Sequence, residues 1–168
     1  MIEPDDLFKY LRRHGELPVV TGSGIYAICI VDTESLPPVT LGAHGLLYIG
    51  MTDDGLDVRN HFTHAHSGFS TFRRSLGALL KAELDLVAYP RSAGPSKTNT
   101  QNYRFTDAGE ARLTSWMMAN LLLAQMRIDQ NVVAREKELI ELLQPPLNLT
   151  GWGNPQRAMI KALRAACV

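Results

Sequence analysis

Two short apolar runs in the first third of the chain constrain its fold most strongly. Residues 25 to 31 are apolar and rich in β-branched side chains, and residues 46 to 49 form a second run of the same kind. Pro37, Pro38 and Gly42 lie between the two runs and indicate a connecting loop. Runs of this length and composition predict two buried strands of one small sheet.

The rest of the chain predicts helices that cover such a sheet. Apolar residues recur there at helical spacing, between capping residues, glycines and prolines that begin or end each segment. The expected segments are helices over residues 3 to 14, 59 to 66, 71 to 80, 106 to 116 and 132 to 143, a strand over 121 to 128, a surface loop over 90 to 101 and a final basic helix from residue 154. This order predicts an α+β fold, in which a small, mostly antiparallel three-stranded sheet is flanked by helices and each terminus adds a further helix.

Length and composition favour one domain in a reducing compartment. The 168 residues suffice to bury a core without disulfides, and there are only two cysteines, Cys29 and Cys167. The N-terminus lacks a basic leader region, and the most apolar stretch, residues 116 to 126, is short and interrupted by polar residues. The sequence therefore predicts a soluble, cytoplasmic protein without a membrane span.

Charged residues are segregated along a chain whose formal net charge is zero. Residues 24 to 55 carry four acidic and no basic side chains, whereas residues 56 to 104 carry seven basic and three acidic ones. The segment from Leu149 adds three basic residues and no acidic one. Such segregation is typical of a phosphate-binding face on a neutral protein, and a solvated charged surface explains it equally well.

One glutamate, Glu136, falls on the apolar face of a predicted helix. On a helical wheel it lies within about 60° of five apolar positions, which are Val132, Val133, Leu139, Ile140 and Leu143. A carboxylate there is costly unless a cation or hydrogen-bond donors compensate it. A structural salt bridge is one interpretation, and a metal-binding carboxylate is the one that we favour. A single carboxylate suits Mg²⁺ or Mn²⁺ and the hydrolysis of phosphodiesters, whereas the sequence has no zinc-ligand spacing and no G-x-x-x-x-G-K loop.

Several short motifs combine into a family resemblance. The chain contains, in order, Gly24-Ile25-Tyr26, Tyr48-Ile49-Gly50, Arg59, Glu136-Lys137-Glu138-Leu139-Ile140 and Pro145-Pro146-Leu147-Asn148. In this order they resemble the GIY-YIG nucleases. The resemblance implies a nuclease domain over residues 22 to 150, with an accessory helix over 1 to 21 and a basic helix over 151 to 168 that packs on the same domain. It also implies a divalent-metal-dependent endonuclease that acts on DNA, with RNA left open as a substrate.

The resemblance assigns a role to each residue of the motifs. Tyr26 and Tyr48 line the site, and one of them orients or deprotonates the attacking water. Arg59 contacts the phosphate, Glu136 binds a single Mg²⁺ or Mn²⁺ ion, and Asn148 braces the site by hydrogen bonding. Each also has a structural alternative, because a tyrosine in an apolar strand is commonly a core residue and its pKa near 10 must fall before it can act as a base.

The chain departs from the family pattern at two positions, and its loop with Pro37 and Pro38 resembles an insertion, because the two tripeptides are usually closer together. A histidine or tyrosine usually follows the arginine by four residues, where this chain has Thr63, so we assign that role to the next residue, His64. On a regular helix His66 would instead share the face of Arg59. Met51 stands where the family often has a lysine, which would weaken the activation of a tyrosine.

Two adjacent arginines, Arg73 and Arg74, follow a predicted helix start and are expected to hold a neighbouring phosphate. A solvated basic turn is the equal alternative. The flanking segments are too short for a recognition domain, so target choice is expected from loops, a homodimer partner or a separate targeting protein. Two other functions stay open: a GIY-YIG module that binds nucleic acid without cleaving it, and a structural α+β protein in which the motifs are coincidental.

Overall fold

The structure is a computed structural model that describes residues 4–36, 38–59, 61–62, 66–91 and 102–167. Over these residues it is an α+β fold with a three-stranded antiparallel sheet and five α-helices, so the predicted fold class is confirmed. The elements are α1 (Pro4–Phe8), β1 (Gly24–Ile30), β2 (Leu46–Thr52), α2 (Thr71–Leu79), β3 (Ala88–Pro90), β4 (Tyr103–Phe105), α3 (Asp107–Asn120), β5 (Leu121–Arg127), α4 (Val132–Leu143) and α5 (Arg157–Ala165). None of the helices in these ranges combines the length and apolar character that crossing a lipid bilayer requires.

The sheet has β1 at its centre. The strand order is β2-β1-β5, and both neighbours run antiparallel to β1. All seven residues of β1 are buried, which explains why its sequence is a continuous apolar run rather than an alternating one. The pairing places Tyr26 of β1 opposite Gly50 of β2 and Gln125 of β5. The central strand therefore carries the first tyrosine of the motifs into the middle of the sheet.

One face of the sheet packs against α1 and α4. Ile25, Ala27 and Cys29 of β1 form a buried cluster with Leu139 of α4 and with apolar residues of α1. Burial of each such aliphatic side chain contributes about 1.5–3 kcal/mol. As the prolines predict, α4 ends at Leu143, and the next residue, Gln144, has a left-handed φ of 51°. This packing fixes α4, and with it Glu136, against the sheet.

The chain divides into two compact units, residues 1–60 with 120–155 and residues 61–119 with 156–168. The first contains α1, the three-stranded sheet and α4. The second contains α2, the β3-β4 hairpin, nearly all of α3, and α5, which packs against α2. Ser70 caps α2, because its Oγ accepts a hydrogen bond from the N–H of Arg73 at 3.1 Å.

The N-terminal helix is shorter than predicted. It ends at Phe8 rather than at residue 14. The backbone of Arg12 instead pairs with Leu123 of β5, donating to its carbonyl oxygen at 3.0 Å and accepting from its N–H at 2.9 Å. The edge of β5 thus satisfies backbone groups that a continued helix would have paired internally.

The helix predicted over residues 59 to 66 is wrong over its described part. Arg59 and His66 are not helical, and residues 61 and 62 lie in bends. Val58, expected to begin the apolar stripe, is 71% exposed. The short β3-β4 hairpin was not predicted, because three-residue strands carry too little periodicity to be recognised. Most of the expected surface loop, residues 92 to 101, lies outside the described residues.

Candidate active site

The two tyrosines of the motifs meet beside each other in the sheet. Tyr26 is 2% exposed and Tyr48 is half-buried, and their ring centroids are 6.3 Å apart with the planes inclined by 34°. Gly50 lies opposite Tyr26, and a Cβ atom at that position would collide with the hydroxyl and the ring of Tyr26. The tyrosine of the first tripeptide therefore requires the glycine of the second, because only a residue without a side chain leaves room for its ring.

The hydroxyl of Tyr26 is the hydrogen-bonding centre of the site. The guanidinium of Arg59 and the hydroxyl of Tyr48 both donate to it. Burial raises the pKa of Tyr26, and the hydrogen bond and positive charge of Arg59 offset part of that rise. Burial also raises the pKa of Tyr48, and the charges of Tyr26 and Glu136 add to the effect. Tyr26 is thus the acceptor and Tyr48 the donor of the pair.

A tight turn after β2 presents Arg59 to the tyrosines. Oγ1 of Thr52 accepts a hydrogen bond from the N–H of Gly55 at 3.3 Å, and the N–H of Arg59 donates to the Gly55 carbonyl oxygen at 3.0 Å. Gly55 has a φ of 145°, which interrupts any helix at this point. Nε2 of Gln125 donates to the Leu56 carbonyl oxygen at 2.9 Å and anchors the turn to β5. The turn, rather than a helix, positions the arginine.

The side chain of Arg59 is exposed to solvent and is also hydrogen-bonded to Tyr26. Burial acts to lower the pKa of its guanidinium, but the hydrogen bond and charge of Tyr26 outweigh that effect and raise it. An arginine is protonated throughout the physiological range in any case. The site therefore contains a permanent positive charge that both Tyr26 and the solvent can reach.

Glu136 of α4 reaches the same group of residues from the edge of β2. Its carboxylate accepts a hydrogen bond from the backbone N–H of Met51 and feels the charge of Arg59. Burial raises the pKa of Glu136, and the charge of Lys137, the Met51 hydrogen bond and the charge of Arg59 offset part of the rise. The side chain is half-buried. A carboxylate that is only partly compensated in this way favours the binding of a further cation.

The position of Glu136 on its helix differs from the helical-wheel prediction. Val132, Leu139 and Ile140 are buried as expected, but Val133 is 47% exposed. Glu136 therefore lies at the margin of the apolar face rather than at its centre. This margin is where a side chain can contact a strand edge and solvent together.

Asn148 covers the free edge of β2 with both atoms of its amide. Its Oδ1 accepts a hydrogen bond from the N–H of Ile49 at 2.9 Å, and its Nδ2 donates to the Ile49 carbonyl oxygen at 2.8 Å. The carbonyl oxygen of Asn148 in turn accepts from Nε1 of Trp152 at 3.1 Å and from Nδ2 of Asn154 at 3.0 Å. The side chain thus pairs as a neighbouring strand would and holds β2 in place.

Sequence analysis did not identify the residues that support this site. Thr52, Gln125, Trp152 and Asn154 act through hydrogen bonds to backbone groups that are distant in sequence or lie in loops. A polar residue such as Gln125 in an otherwise apolar strand was the one signal that could have indicated such a contact.

Arg73 is a structural residue of the second unit and not the phosphate ligand that the sequence predicted. Its side chain is fully buried. Its Nη2 contacts Glu110 Oε2 at 2.8 Å, and its Nη1 donates to the His61 carbonyl oxygen at 3.0 Å. Arg74 is also buried and donates to the carbonyl oxygen of Gly68 at 2.6 Å. Both guanidinium groups are therefore bound to protein oxygens instead of facing a ligand.

The two departures from the family pattern have different outcomes. His64, our choice for the position after Arg59, lies outside the described residues. His61 is buried with its Nδ1 2.8 Å from Ser70 Oγ, and His66 Nδ1 accepts from the N–H of Gly68 at 3.2 Å. Met51 packs against the apolar cluster of the first unit, so the residue that replaces a lysine extends the core.

The oxygen donors near the tyrosines match a hard divalent cation. Within the described ranges, no three His, Cys, Asp or Glu side chains converge as a metal cluster. Glu136 is instead a single carboxylate beside hydroxyl and guanidinium groups. An ion such as Mg²⁺ retains several waters and is commonly bound through one or two carboxylates and the substrate phosphate. The residues present therefore fit a magnesium or manganese ion better than zinc.

Comparison with protein families identifies the class of this fold and site. The family model of the GIY-YIG catalytic domain matches residues 24–166, nearly the whole chain. The chain therefore belongs to the GIY-YIG family, which is a nuclease superfamily, and the resemblance drawn from the motifs is confirmed. Searches among curated proteins and among solved structures gave no match. The family region extends past residue 150 and includes α5.

Proposed function

We propose that this protein is a divalent-metal-dependent endonuclease that hydrolyses phosphodiester bonds in DNA. One observation carries the proposal: Tyr26 accepts hydrogen bonds from Tyr48 and Arg59, while the partly compensated carboxylate of Glu136 acts on the same groups. A nucleophile-activating group, a fixed positive charge and a cation ligand can together supply the activation and the charge stabilisation that phosphodiester hydrolysis needs.

Tyr26 is the residue that orients and deprotonates the attacking water. Its oxygen already accepts from Arg59 and Tyr48, and both donors stabilise a phenolate. Burial opposes ionisation by raising the pKa of Tyr26, and so does the negative charge of Glu136. Positive charge bound at Glu136 reverses that last contribution. In the assembled site Tyr26 therefore loses its own proton to solvent more readily, and the resulting phenolate takes the proton of the attacking water.

Arg59 and Glu136 act on the phosphate from two directions. The exposed guanidinium of Arg59 pairs with a non-bridging oxygen while it keeps its hydrogen bond to Tyr26. Glu136 would hold the Mg²⁺ or Mn²⁺ ion, which when bound stabilises the charge that develops on the phosphate and on the leaving oxygen. Asn148 keeps β2, and hence Tyr48 and the Met51 N–H, in register with Glu136.

The context of this activity is part of the same proposal. We assign the protein to the cytoplasm, with DNA as the substrate and target choice supplied by a homodimer partner or a separate targeting protein. Nuclease activity is supported by the family and by the charge and hydroxyl groups of the site.

Cleavage of supercoiled plasmid tests the function directly. The wild type is assayed in Mg²⁺, in Mn²⁺ and in EDTA, together with Glu136→Gln and Tyr26→Phe. Glu138→Gln and Tyr89→Phe are the matched controls, because Glu138 is exposed on the same helix and Tyr89 lies in the hairpin of the second unit. We expect metal-dependent nicking in the wild type and in both controls, and a loss of about 10³-fold or more in the two site variants.

Single-stranded and branched DNA are assayed in parallel. If the wild type binds these substrates and plasmid but cleaves none of them in either metal, the catalytic proposal is wrong, and the chain is a binding module with the family fold. Equal cleavage by Glu136→Gln and Glu138→Gln would likewise remove Glu136 from the mechanism.

A further inference from the structure

A cavity of about 600 Å³ lies in the first unit, between the segment that precedes β1 and the end of β5. Gln125, Met126 and Arg127 of β5 form one side, and residues from 6 to 20 form the other. The volume is within the range of about 300–1,000 Å³ that is usual for pockets of small organic ligands. Residues 6 to 20 precede the region matched to the family, which begins at residue 24. The cavity is therefore built in large part by residues that this chain adds to the family region.

The cavity is cationic and contains an exposed aromatic ring. Lys9, Arg12 and Arg127 line it together with Asp6. Lys9 is paired with Asp6 at 2.6 Å and Arg127 with Asp129 at 2.7 Å, whereas Arg12 has no carboxylate among the described ion pairs. Arg12 Nη1 donates to the carbonyl oxygen of Leu11 at 2.7 Å, which holds its guanidinium at the surface. The side chain of Tyr10 is 54% exposed. A flat exposed ring beside an arginine such as Arg12 is typical of sites that stack a base and pair with its phosphate.

Gln125 connects this cavity to the proposed catalytic residues. It lines the cavity, lies opposite Tyr26 in the sheet and holds the turn that presents Arg59 through the Leu56 carbonyl oxygen. Arg12 pairs with β5 on the edge away from β1, so the cavity lies about two strand spacings, roughly 10 Å, from the strand of Tyr26. Phosphates of one DNA strand advance by about 3.4 Å per nucleotide along the helix axis. A few nucleotides therefore span the distance between the two places.

We infer that the cavity binds one nucleotide of the substrate strand, a few positions from the scissile phosphate. Tyr10 stacks on the base, and Arg12 pairs with the phosphate. The inference rests on the proposed nuclease function and deepens it, because it assigns a substrate contact to the segment that precedes the family region.

Binding of a short fluorescently labelled single-stranded oligonucleotide tests the inference. The full-length Glu136→Gln protein serves as the parent, so that cleavage does not interfere, and Tyr10→Ala or Arg12→Ala is added to it. Arg13→Ala is the matched control, because Arg13 is the next residue, carries the same charge and does not line the cavity. We expect Tyr10→Ala and Arg12→Ala to weaken binding by about tenfold, and Arg13→Ala by about twofold or less.

Salt dependence separates the two contacts. Loss of one phosphate contact reduces the slope of log affinity against log salt by about 0.7 for a single strand, so Arg12→Ala flattens the slope while Tyr10→Ala leaves it unchanged. An equal weakening by Arg12→Ala and Arg13→Ala would show a diffuse basic surface and overturn the inference.

An abasic nucleotide moved along the oligonucleotide tests stacking on Tyr10. The parent protein loses affinity when the abasic nucleotide occupies one particular position, and Tyr10→Ala is insensitive at that position. Equal sensitivity in the two proteins, or no binding at all, overturns the inference. If the wild type fails to cleave plasmid but binding still depends on Tyr10 at one position, the cavity is a nucleotide site and the proposed catalysis is wrong. If cleavage occurs and is unaffected by Tyr10→Ala and Arg12→Ala, the proposed catalysis stands and the cavity is not a substrate site.

Discussion

Glu110 of α3 is a buried carboxylate and Glu136 of α4 is a half-buried one, and the protein compensates their charges to very different degrees. Glu110 is 5% exposed and accepts hydrogen bonds from the N–H and Oγ of Ser67, the N–H of Phe105 and Nη2 of Arg73. Burial acts to raise the pKa of Glu110, but these donors outweigh it and hold the pKa below its usual range. Burial dominates at Glu136, where the pKa is raised.

The arginines near the two carboxylates differ in the same sense. Arg73 is fully buried and donates hydrogen bonds to the carboxylate of Glu110 and to the backbone carbonyl oxygen of His61. Arg59 is exposed and bonded to a tyrosine hydroxyl. A buried ion pair whose charged oxygens and nitrogens bind each other has little capacity for a ligand, whereas we propose that the charges around Glu136 serve a substrate and a cation. The comparison predicts that one pair controls stability and the other controls activity.

Replacement of the two arginines gives the largest expected contrast. Arg73→Met lowers the free energy of unfolding by about 3–5 kcal/mol, because it leaves Glu110 buried without its counter-charge. Arg59→Met changes it by about 1 kcal/mol or less, since the side chain is exposed, but abolishes plasmid cleavage. Urea unfolding of both variants measures the difference. In the double variant Arg73→Met with Glu110→Gln, part of the stability returns, and a wild-type stability of Arg73→Met alone would break the comparison.

Asn148 sharpens the comparison, because it is a fully satisfied residue inside the less compensated region. Asn148→Ala removes the partners of both the N–H and the carbonyl oxygen of Ile49, which costs about 2–3 kcal/mol. Hydrogen exchange of the Ile49 amide accelerates, while the amide of Gly50, which faces β1 in the antiparallel pairing, stays protected. Unchanged exchange at Ile49 would show that other groups hold the edge of β2.

The pKa values of the two carboxylates are shifted in opposite directions from the ordinary glutamate pKa of 4.5. Because the pKa of Glu110 is lowered on folding, its stabilising contribution is present above 4.5 and is lost as the pH falls through its lowered native value. Because the pKa of Glu136 is raised, metal binding and cleavage decline as the pH falls towards a value above 4.5. We therefore expect activity to disappear on acidification before unfolding begins. Plasmid cleavage and urea unfolding measured across this pH range test the order. Loss of activity and of stability in one step below pH 4.5 would contradict it.

The smallest expected effect is the change in stability when Glu136 is replaced by glutamine. Glu136→Gln keeps an oxygen that can accept from Met51 and removes a charge that burial disfavours. Without metal, its free energy of unfolding is therefore within about 0.5 kcal/mol of the wild type, or higher. Mg²⁺ raises the melting temperature of the wild type and of Glu138→Gln, but not that of Glu136→Gln. A marked loss of stability in Glu136→Gln without metal would make Glu136 a structural residue.

Sequence patterns predicted the parts of the molecule in which one physical signal dominates. The strands β1 and β5 and the helix α4 follow directly from apolar runs and from helical spacing ended by prolines. The same patterns failed for the helix predicted from residue 59, because Gly55 and hydrogen bonds to Thr52 produce a turn just before it. They also misplaced Arg73, since two adjacent arginines look alike in sequence whether they face solvent or a buried carboxylate.

The sequence by itself determined the α+β fold class, the family, and the order of the tyrosine, arginine, glutamate and asparagine motifs, because these depend on residue types and their spacing along the chain. Tertiary structure alone decided which groups are in contact. Gly50 makes room for the ring of Tyr26, Asn148 hydrogen-bonds to the edge of β2, and Arg73 forms a buried ion pair with Glu110. Hydrogen bonds and desolvation act over a few ångströms between residues up to about a hundred positions apart. The spacing of residues along the chain does not give these distances, so only the folded chain shows which charged groups are paired inside the protein and which are exposed.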